Sequence, residues 1–357
     1  MLHVIQTFGE ELPAACQNSC EEAWAIFDSF LTKYGSDYDL GERTTRVLRH
    51  GLGLFGDSAL PVAASAMARL TAGFDATGFP SNLWIAGKIV QRFGNEENPG
   101  LRRTFQEAFE HSTQKVISML QVKSPGEIPD GMLRSFYQTY LLMLFRFGLV
   151  LEDYIHLLLE LVAHAPNIFF QSSAFPLAFR AAMAALTLVH SEIIFQSLDL
   201  FRIVLNHDCL LSGPPQPPKF PIYSTAIRAV VDKEGFVLVG YLLAGLVGDF
   251  PEDSTSAVVS IFRALAALWT SQVLSWLPPV LEQLPTTVAP IQAKSQFLAD
   301  VTRFVFPVSV TLGLIGYKLL YSSVNSGQYD KVKYAILALN RASRKARDRR
   351  RITPLDR

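Results

Sequence analysis

The chain has 357 residues, of which 49% are hydrophobic and 18% charged, and its formal net charge is zero. This length allows two or three ordinary domains or one continuous repeat array. The three cysteines, Cys16, Cys20 and Cys209, exclude a small disulfide-stabilised fold and fit a reducing compartment. The N-terminus has no basic stretch followed by an apolar run, so no signal peptide is predicted.

The zero net charge hides an asymmetry between the body of the chain and its tail. Residues 331–357 hold ten Lys/Arg and two Asp/Glu, a net charge of +8. The other residues hold 22 basic and 30 acidic side chains, a net charge of −8. This pattern predicts basic partners for the body and a solvated or anion-binding tail.

Apolar residues recur at helical spacing along most of the chain. In residues 151–164, Ile155, Leu158, Leu159 and Val162 occupy positions i, i+3, i+4 and i+7, and the proline at position 166 stops the helix. The same pattern predicts helices at residues 21–34, 41–55, 59–70, 79–93, 99–120, 179–189, 194–205, 223–233, 236–247, 253–269 and 271–282. Residues 212–221 are rich in proline and predict a loop, and no strand pattern occurs.

Each predicted helix has an apolar stripe that needs neighbouring helices to cover it. Paired helices with a period of about 40 residues predict an all-α fold, an α-solenoid of about seven HEAT/armadillo-type hairpins wound into a right-handed superhelix. Asp57 and Ser58 are predicted to cap the helix that follows them. Six aromatic residues at helical spacing are predicted to lie in the core: Trp24, Phe27, Trp84, Phe262, Trp269 and Trp276.

Two segments are apolar on all sides and depart from this pattern. They are residues 135–150 (SFYQTYLLMLFRFGLV) and 304–321 (FVFPVSVTLGLIGYKLLY), and the second approaches the length of a membrane span. When about residues 131–150 and 304–322 are left out, the helical repeat pattern continues without interruption. We therefore interpret both segments as insertions, which retained introns could encode. The alternative is two genuine membrane-spanning or buried helices. The predicted organisation is a solenoid over residues 1–303, an apolar segment over 304–322 and a basic helix and tail over 323–357.

Several motifs, in order, carry a resemblance to a known family. They are residues 42–50 (ERTTRVLRH), 79–94 (FPSNLWIAGKIVQRFG), 152–170 (EDYIHLLLELVAHAPNIFF), 195–207, 275–277 and 284–285. Together they resemble the C-terminal third of an importin-β (karyopherin) nuclear transport receptor. The branch they resemble contains transportin-SR, the fungal mRNA-transport-regulator receptors and importin thirteen.

The resemblance implies a nuclear import receptor that shuttles between nucleus and cytoplasm. It implies a basic, arginine-serine-rich cargo in the concave face, released when Ran-GTP binds, with nucleoporins as further partners. It implies no enzyme activity, no cofactor, and no direct nucleic-acid or membrane partner. It also implies that the main Ran-binding repeats lie upstream, so that this chain acts as a fragment. Two alternatives remain open: a generic HEAT-repeat interaction scaffold, and a membrane protein with helices near residues 135–150 and 304–321.

The candidate sites in the sequence are weak, and no catalytic or cargo-contact residue is assigned. His156, Glu160 and His164 lie at i, i+4 and i+8, a spacing compatible with metal ligands, but we expect a solvated helix face and no metal. Cys16 and Cys20 are expected to be ordinary buried or half-buried thiols. The basic run at residues 340–351 suits a localisation signal or a nucleic-acid patch. We favour a last solenoid helix docked through Tyr334, Ile336, Leu337 and Leu339.

Overall fold

The computed structural model describes residues 19–120, 133–188, 190–210, 221–248, 250–312 and 329–352. In these ranges the chain is helical and contains no strand. The helices are α1 Cys20–Tyr34, α2 Tyr38–Phe55, α3 Leu60–Thr77, α4 Pro80–Phe93, α5 Pro99–Leu120, α6 Leu133–His164, α7 Pro166–Gln171, α8 Phe175–Ala185, α9 Ser191–Leu205, α10 Pro221–Val247, α11 Thr255–Leu268, α12 Thr270–Gln283, α13 Ile291–Leu312 and α14 Tyr329–Ile352.

The helices form two compact units, Met1–Ala181 and Ala182–Arg357. In the first unit, each helix packs on helices one or two places further along the chain: α1 on α2 and α3, α2 on α4, α3 on α4 and α5, and α4 on α6. Apolar stripes on successive helices therefore cover one another, as a helical repeat requires. This arrangement confirms the predicted all-α solenoid class.

Local sequence signals explain where these helices begin and end. The Asp37 carboxylate accepts a hydrogen bond from the backbone N–H of Leu40 at 3.0 Å and caps α2. The α3 helix ends at Gly78, whose φ of 68° suits glycine. The α4 helix begins at Pro80. Proline lacks a backbone N–H, but at the first position of a helix this group has no acceptor within the helix, so no hydrogen bond is lost. The α6 helix ends at His164, before Pro166, as predicted.

The second unit repeats this arrangement. The α9 helix packs on α11, α10 packs on α12, and α13 packs on α12 and α14. The α14 helix also lies against α10 and α11. Its buried side chains include Val332, Ile336 and Leu339.

Two predictions about helix boundaries are wrong. The segments predicted as separate helices at 223–233 and 236–247 are one helix, α10, because Gly235 accommodates the ring of Trp276 from α12 and does not form a turn. Asp57 and Ser58 do not cap α3. They lie in a 3₁₀ turn, Gly56–Ala59, no side chain caps α3, and Asp57 instead pairs with Arg92.

The apolar segment at residues 135–150 belongs to α6, whereas the segment at 304–321 lies partly outside the described residues. The α6 helix runs continuously across the predicted boundary at residue 150, where Val150 is buried, and α13 runs across residue 304. The insertion hypothesis remains a prediction. Among the described helices, none combines the length and the apolarity needed to cross a membrane. The proline-rich loop also lies outside the described residues.

The predicted core aromatics divide into two groups. Trp24, Phe262 and Trp269 are buried. Phe27, Trp84 and Trp276 are only half-buried. Because a half-buried tryptophan keeps part of its ring available to a partner, Trp84 and its neighbours form a candidate site.

Candidate functional site

The side-by-side helices α2, α4 and α6 carry a cationic and aromatic surface. The guanidinium carbon of Arg49 on α2 lies 4.0 Å from the centroid of the Trp84 ring on α4. The Nζ atom of Lys88, one turn further along α4, lies 5.2 Å from the same centroid. Both distances lie within the range of a cation–π interaction. We call Arg46, Arg49, Trp84, Lys88 and Asp153 the Trp84 surface.

Two cavities meet at Arg49 and Trp84. The larger has a volume of about 790 Å³, and its charged lining consists of Arg49, Asp57, Lys88 and Arg92. The smaller has a volume of about 240 Å³ and contains two carboxyl groups in its lining, those of Glu42 and Asp153. Arg46 also lines the smaller cavity, so both cavities carry cationic side chains beside the Trp84 ring, and the smaller adds carboxyl acceptors.

The Trp84 surface is positively charged at neutral pH because its acidic groups are paired or neutral. Asp57 pairs with Arg92 at 2.9 Å. Burial, together with the charges of Glu152 and Glu42, raises the pKa of Asp153 to about 8. Arg46 and Arg49 are exposed, and within the described part of the chain neither has a carboxylate partner. Their charges are therefore available to an anionic group.

The smaller cavity also contains an unused polar atom. The hydroxyl of Ser81 is buried, and among the described residues it has no hydrogen-bond partner. It lines the same cavity as Glu42 and Asp153. A buried polar group without a partner costs free energy, so a ligand donor or acceptor at this position would be stabilised.

Glu160 forms the centre of a polar cluster beneath this surface. Its carboxylate lies 3.9 Å from Nζ of Lys88, 3.8 Å from Nε2 of His156 and 3.4 Å from Nε2 of His164. Glu160 is 9% exposed. The expected solvated face is therefore wrong: this side of α6 packs against α4, and only tertiary packing decides which side is covered.

The cluster orients Trp84 and does not show the geometry of a metal site. The His156 ring stacks on Trp84 with centroids 5.8 Å apart. Burial and the Lys88 charge lower the pKa of His156 to about 4, so the imidazole is neutral at physiological pH. Across the residues that the structure describes, no group of three or more His, Cys, Asp or Glu side chains is arranged to hold a metal ion.

The other candidate residues do not form a site. Cys20 and Cys209 are buried free thiols, and Cys16 lies outside the described residues. On α14, Ile336 and Leu339 are buried and Leu337 is half-buried. The predicted docking role of Tyr334 is wrong, because this side chain is 64% exposed.

The Trp84 surface is not among the candidate sites predicted from the sequence. A usable signal was present: Arg43, Arg46 and Arg49 recur at three-residue spacing, which places them near one face of α2. That pattern shows a basic face on α2 but does not show which residue of another helix lies against it. The contact with Trp84, 35 residues further on, depends on how α2 packs against α4.

The fold and this surface define a class: an all-α helical-repeat protein with a cationic, aromatic surface suited to binding another molecule. A family model described as the transportin-3/importin-13 fourth TPR domain matches residues 14–120, which contain α1 to α5. This part of the chain is therefore similar to that domain of importin-β/karyopherin-like proteins.

Two known proteins that resemble this chain are longer than it. A curated protein of Schizosaccharomyces pombe, described only as uncharacterized, is 23% identical over 297 residues, covering 79% of this chain and 28% of that protein. A solved structure titled importin-13 in its cytosolic state superposes with a TM-score of 0.61 at 11% identity. That superposition covers 92% of this chain and 32% of the importin-13 chain. The chain thus spans about a third or less of either relative.

Proposed function

We propose that this chain is the cargo-binding part of a nuclear import receptor of the karyopherin type. The observation that carries the proposal is the contact between Arg49 and Trp84, beside the exposed Arg46, on two adjacent helices of a solenoid. Exposed guanidinium groups beside an aromatic ring are typical of surfaces that bind protein segments. The match to transportin-3/importin-13 supports transport as the role of that binding.

The charges of the two cavities favour a cargo segment with alternating charge. Arg46 and Arg49 attract an anionic group, while the Glu42 carboxylate and the carbonyl oxygen of the neutral Asp153 carboxyl offer acceptors to a basic side chain in the same cavity. A purely arginine-rich segment would be repelled by the two arginines. An arginine-serine-rich cargo suits both cavities when its serines are phosphorylated, since each phosphate adds a charge of about −1.5 to −2. We therefore propose phosphorylated arginine-serine repeats as the cargo chemistry.

Release would follow from the elasticity of a helical repeat. Cargo would bind one curvature of the solenoid more tightly, and Ran-GTP would bind another. Each ligand would then weaken the binding of the other through a coupling free energy, although the two do not share a site. The proposed receptor moves between cytoplasm and nucleus and contacts nucleoporins on the way. In the longer relatives the remaining repeats supply further contacts, so the strength of Ran coupling in this chain is itself a measurable quantity.

The experiment measures binding of a fluorescent arginine-serine repeat peptide to the purified chain. The phosphorylated peptide is expected to bind more tightly than the unphosphorylated one. Arg46→Glu/Arg49→Glu is expected to weaken binding about tenfold or more, since hydrogen bonds to charged groups contribute roughly 1.5–3 kcal/mol each. Arg103→Glu/Lys233→Glu makes the same change in net charge at exposed positions elsewhere and is expected to leave binding unchanged.

Ran-GTP and Ran-GDP are then added to the bound complex. Displacement by Ran-GTP alone supports an import receptor. Binding that requires Arg46 and Arg49 but ignores Ran-GTP supports the cargo surface without Ran-dependent release by this chain. A folded chain that binds neither peptide contradicts the proposal and favours a generic helical-repeat scaffold.

A further inference from the structure

The last helix, α14, divides its basic side chains between two roles. Arg344 pairs with Glu252 at 2.9 Å, and Arg347 donates a hydrogen bond to the carbonyl oxygen of Gly248, just beyond the C-terminus of α10. These two arginines hold α14 against the start of α11 and the end of α10. The interaction with a helix C-terminus is favourable, because that end carries partial negative charge.

The opposite face of α14 is exposed and basic. Tyr334, Ala338, Arg341 and Lys345 are spaced by four, three and four residues, which places them in one stripe along the helix. Arg341 and Lys345 are exposed, and within the described ranges neither has a carboxylate partner. Tyr334 is 64% exposed at the start of the stripe. We call Tyr334, Arg341 and Lys345 the α14 stripe.

The charge of the whole helix strengthens the field along this stripe. From Tyr329 to Ile352 the helix contains nine Lys/Arg and two acidic residues, Asp330 and Asp348, a net charge of +7. The last three of these arginines, residues 349–351, fall on the final turn of the helix. A helix of this charge attracts a polyanion and releases its counterions on binding.

We propose that the α14 stripe binds the backbone of single-stranded RNA, with Tyr334 stacking on an unpaired base. Two cations one helical turn apart suit an anion with repeated charges, and an exposed aromatic ring at the start of the stripe suits an unpaired base. A folded protein partner would instead need complementary apolar contact, whereas the stripe offers one ring and two cations. The α14 stripe belongs to the second unit, so this proposal is independent of the Trp84 surface and of the proposed function.

The test measures binding of the full chain to labelled oligouridylate by fluorescence anisotropy over a series of salt concentrations. Arg341→Glu/Lys345→Glu is expected to reduce affinity strongly and to lower the slope of log K against log salt by about 1.4, or 0.7 for each lost phosphate contact. Tyr334→Ala is expected to weaken binding roughly fivefold or more, and Tyr334→Phe to restore it. All these positions are exposed, so the helical circular dichroism is expected to stay unchanged.

The control is again Arg103→Glu/Lys233→Glu, which makes the same change in net charge on α5 and α10. An equal loss of RNA binding in this control would overturn the proposal, because it would show attraction to net charge alone. A chain that binds oligoglutamate more tightly than RNA, with the same loss in the α14 stripe variant, would also overturn it and would assign the stripe to an acidic protein segment. Retained RNA binding in the stripe variant is the third outcome that contradicts it.

Discussion

The hydroxyl of Tyr154 on α6 lies 2.8 Å from Oγ1 of Thr113 on α5, and both side chains are completely buried. Oγ1 of Thr113 also donates to the carbonyl oxygen of Phe109 at 2.7 Å. Since threonine has one hydroxyl proton, the Tyr154 hydroxyl is the donor in the pair. The pair joins two neighbouring helices, α5 and α6.

This direction of donation predicts unequal effects of two conservative substitutions. Tyr154→Phe leaves Thr113 bonded to Phe109 and is expected to cost about 1 kcal/mol of unfolding free energy. Thr113→Val leaves the Tyr154 hydroxyl buried without an acceptor and is expected to cost more, about 1–3 kcal/mol. Urea unfolding of both variants checks the order. A larger cost for Tyr154→Phe would contradict the assigned donor.

Two glycines of α10 predict opposite effects of the same substitution. A Cβ atom at Gly240 would meet nothing within 4 Å, so Gly240→Ala is expected to stabilise the chain by about 0.5–1 kcal/mol through helix propensity. A Cβ atom at Gly235 would lie 2.7 Å from Cζ3 of Trp276, so Gly235→Ala is expected to destabilise it. Thermal unfolding measures both changes. Equal stabilisation by the two would show that Trp276 moves away without cost.

The Asp153 carboxyl predicts a loss of stability as the pH rises. Its pKa is raised to about 8 in the folded chain, so between its ordinary value near 4 and pH 8 the folded state holds a proton that the unfolded state has lost. Stability then falls with rising pH, by at most about 1.4 kcal/mol per unit from this group. Asp153→Asn is expected to remove this slope.

The window for that measurement is pH 6.5–8. Below pH 6.5, His156 contributes a slope of opposite sign, because its lowered pKa means that stability is lost as the pH falls towards 4. Urea unfolding of the wild-type chain and of Asp153→Asn at several pH values in this window gives the difference. Parallel pH profiles for the two proteins would exclude a raised pKa at Asp153.

Trp84 predicts a binding effect that is separable from stability. Because its ring is half-buried and contacts Arg49, Trp84→Ala is expected to weaken binding of the phosphorylated peptide about tenfold while the chain stays folded. Trp84→Phe keeps an aromatic face and is expected to lose less. Calorimetric titration with circular dichroism of each variant checks both. Unchanged affinity in Trp84→Ala would show that the Trp84 ring does not contact the phosphorylated peptide.

Part of the candidate site could be predicted from residue spacing alone. The basic face of α2 and the shared face of His156, Glu160 and His164 are visible in the sequence, because helical spacing determines which side chains lie together on one helix. The sequence does not show which other helices pack against those faces. Glu160 was expected in solvent and lies against Lys88, and Tyr334 was expected in the core and lies in solvent.

By itself, the sequence determined the helical class, most helix positions and the stop at His164, because periodicity and proline act over a few residues along the chain. It also determined the solenoid class, since stripes of that width require neighbouring helices. Only the tertiary structure decided that Gly235 accommodates Trp276, that Arg49 meets Trp84, and that α14 turns Tyr334 outward. These outcomes depend on contacts between residues far apart in the chain, which local spacing does not encode.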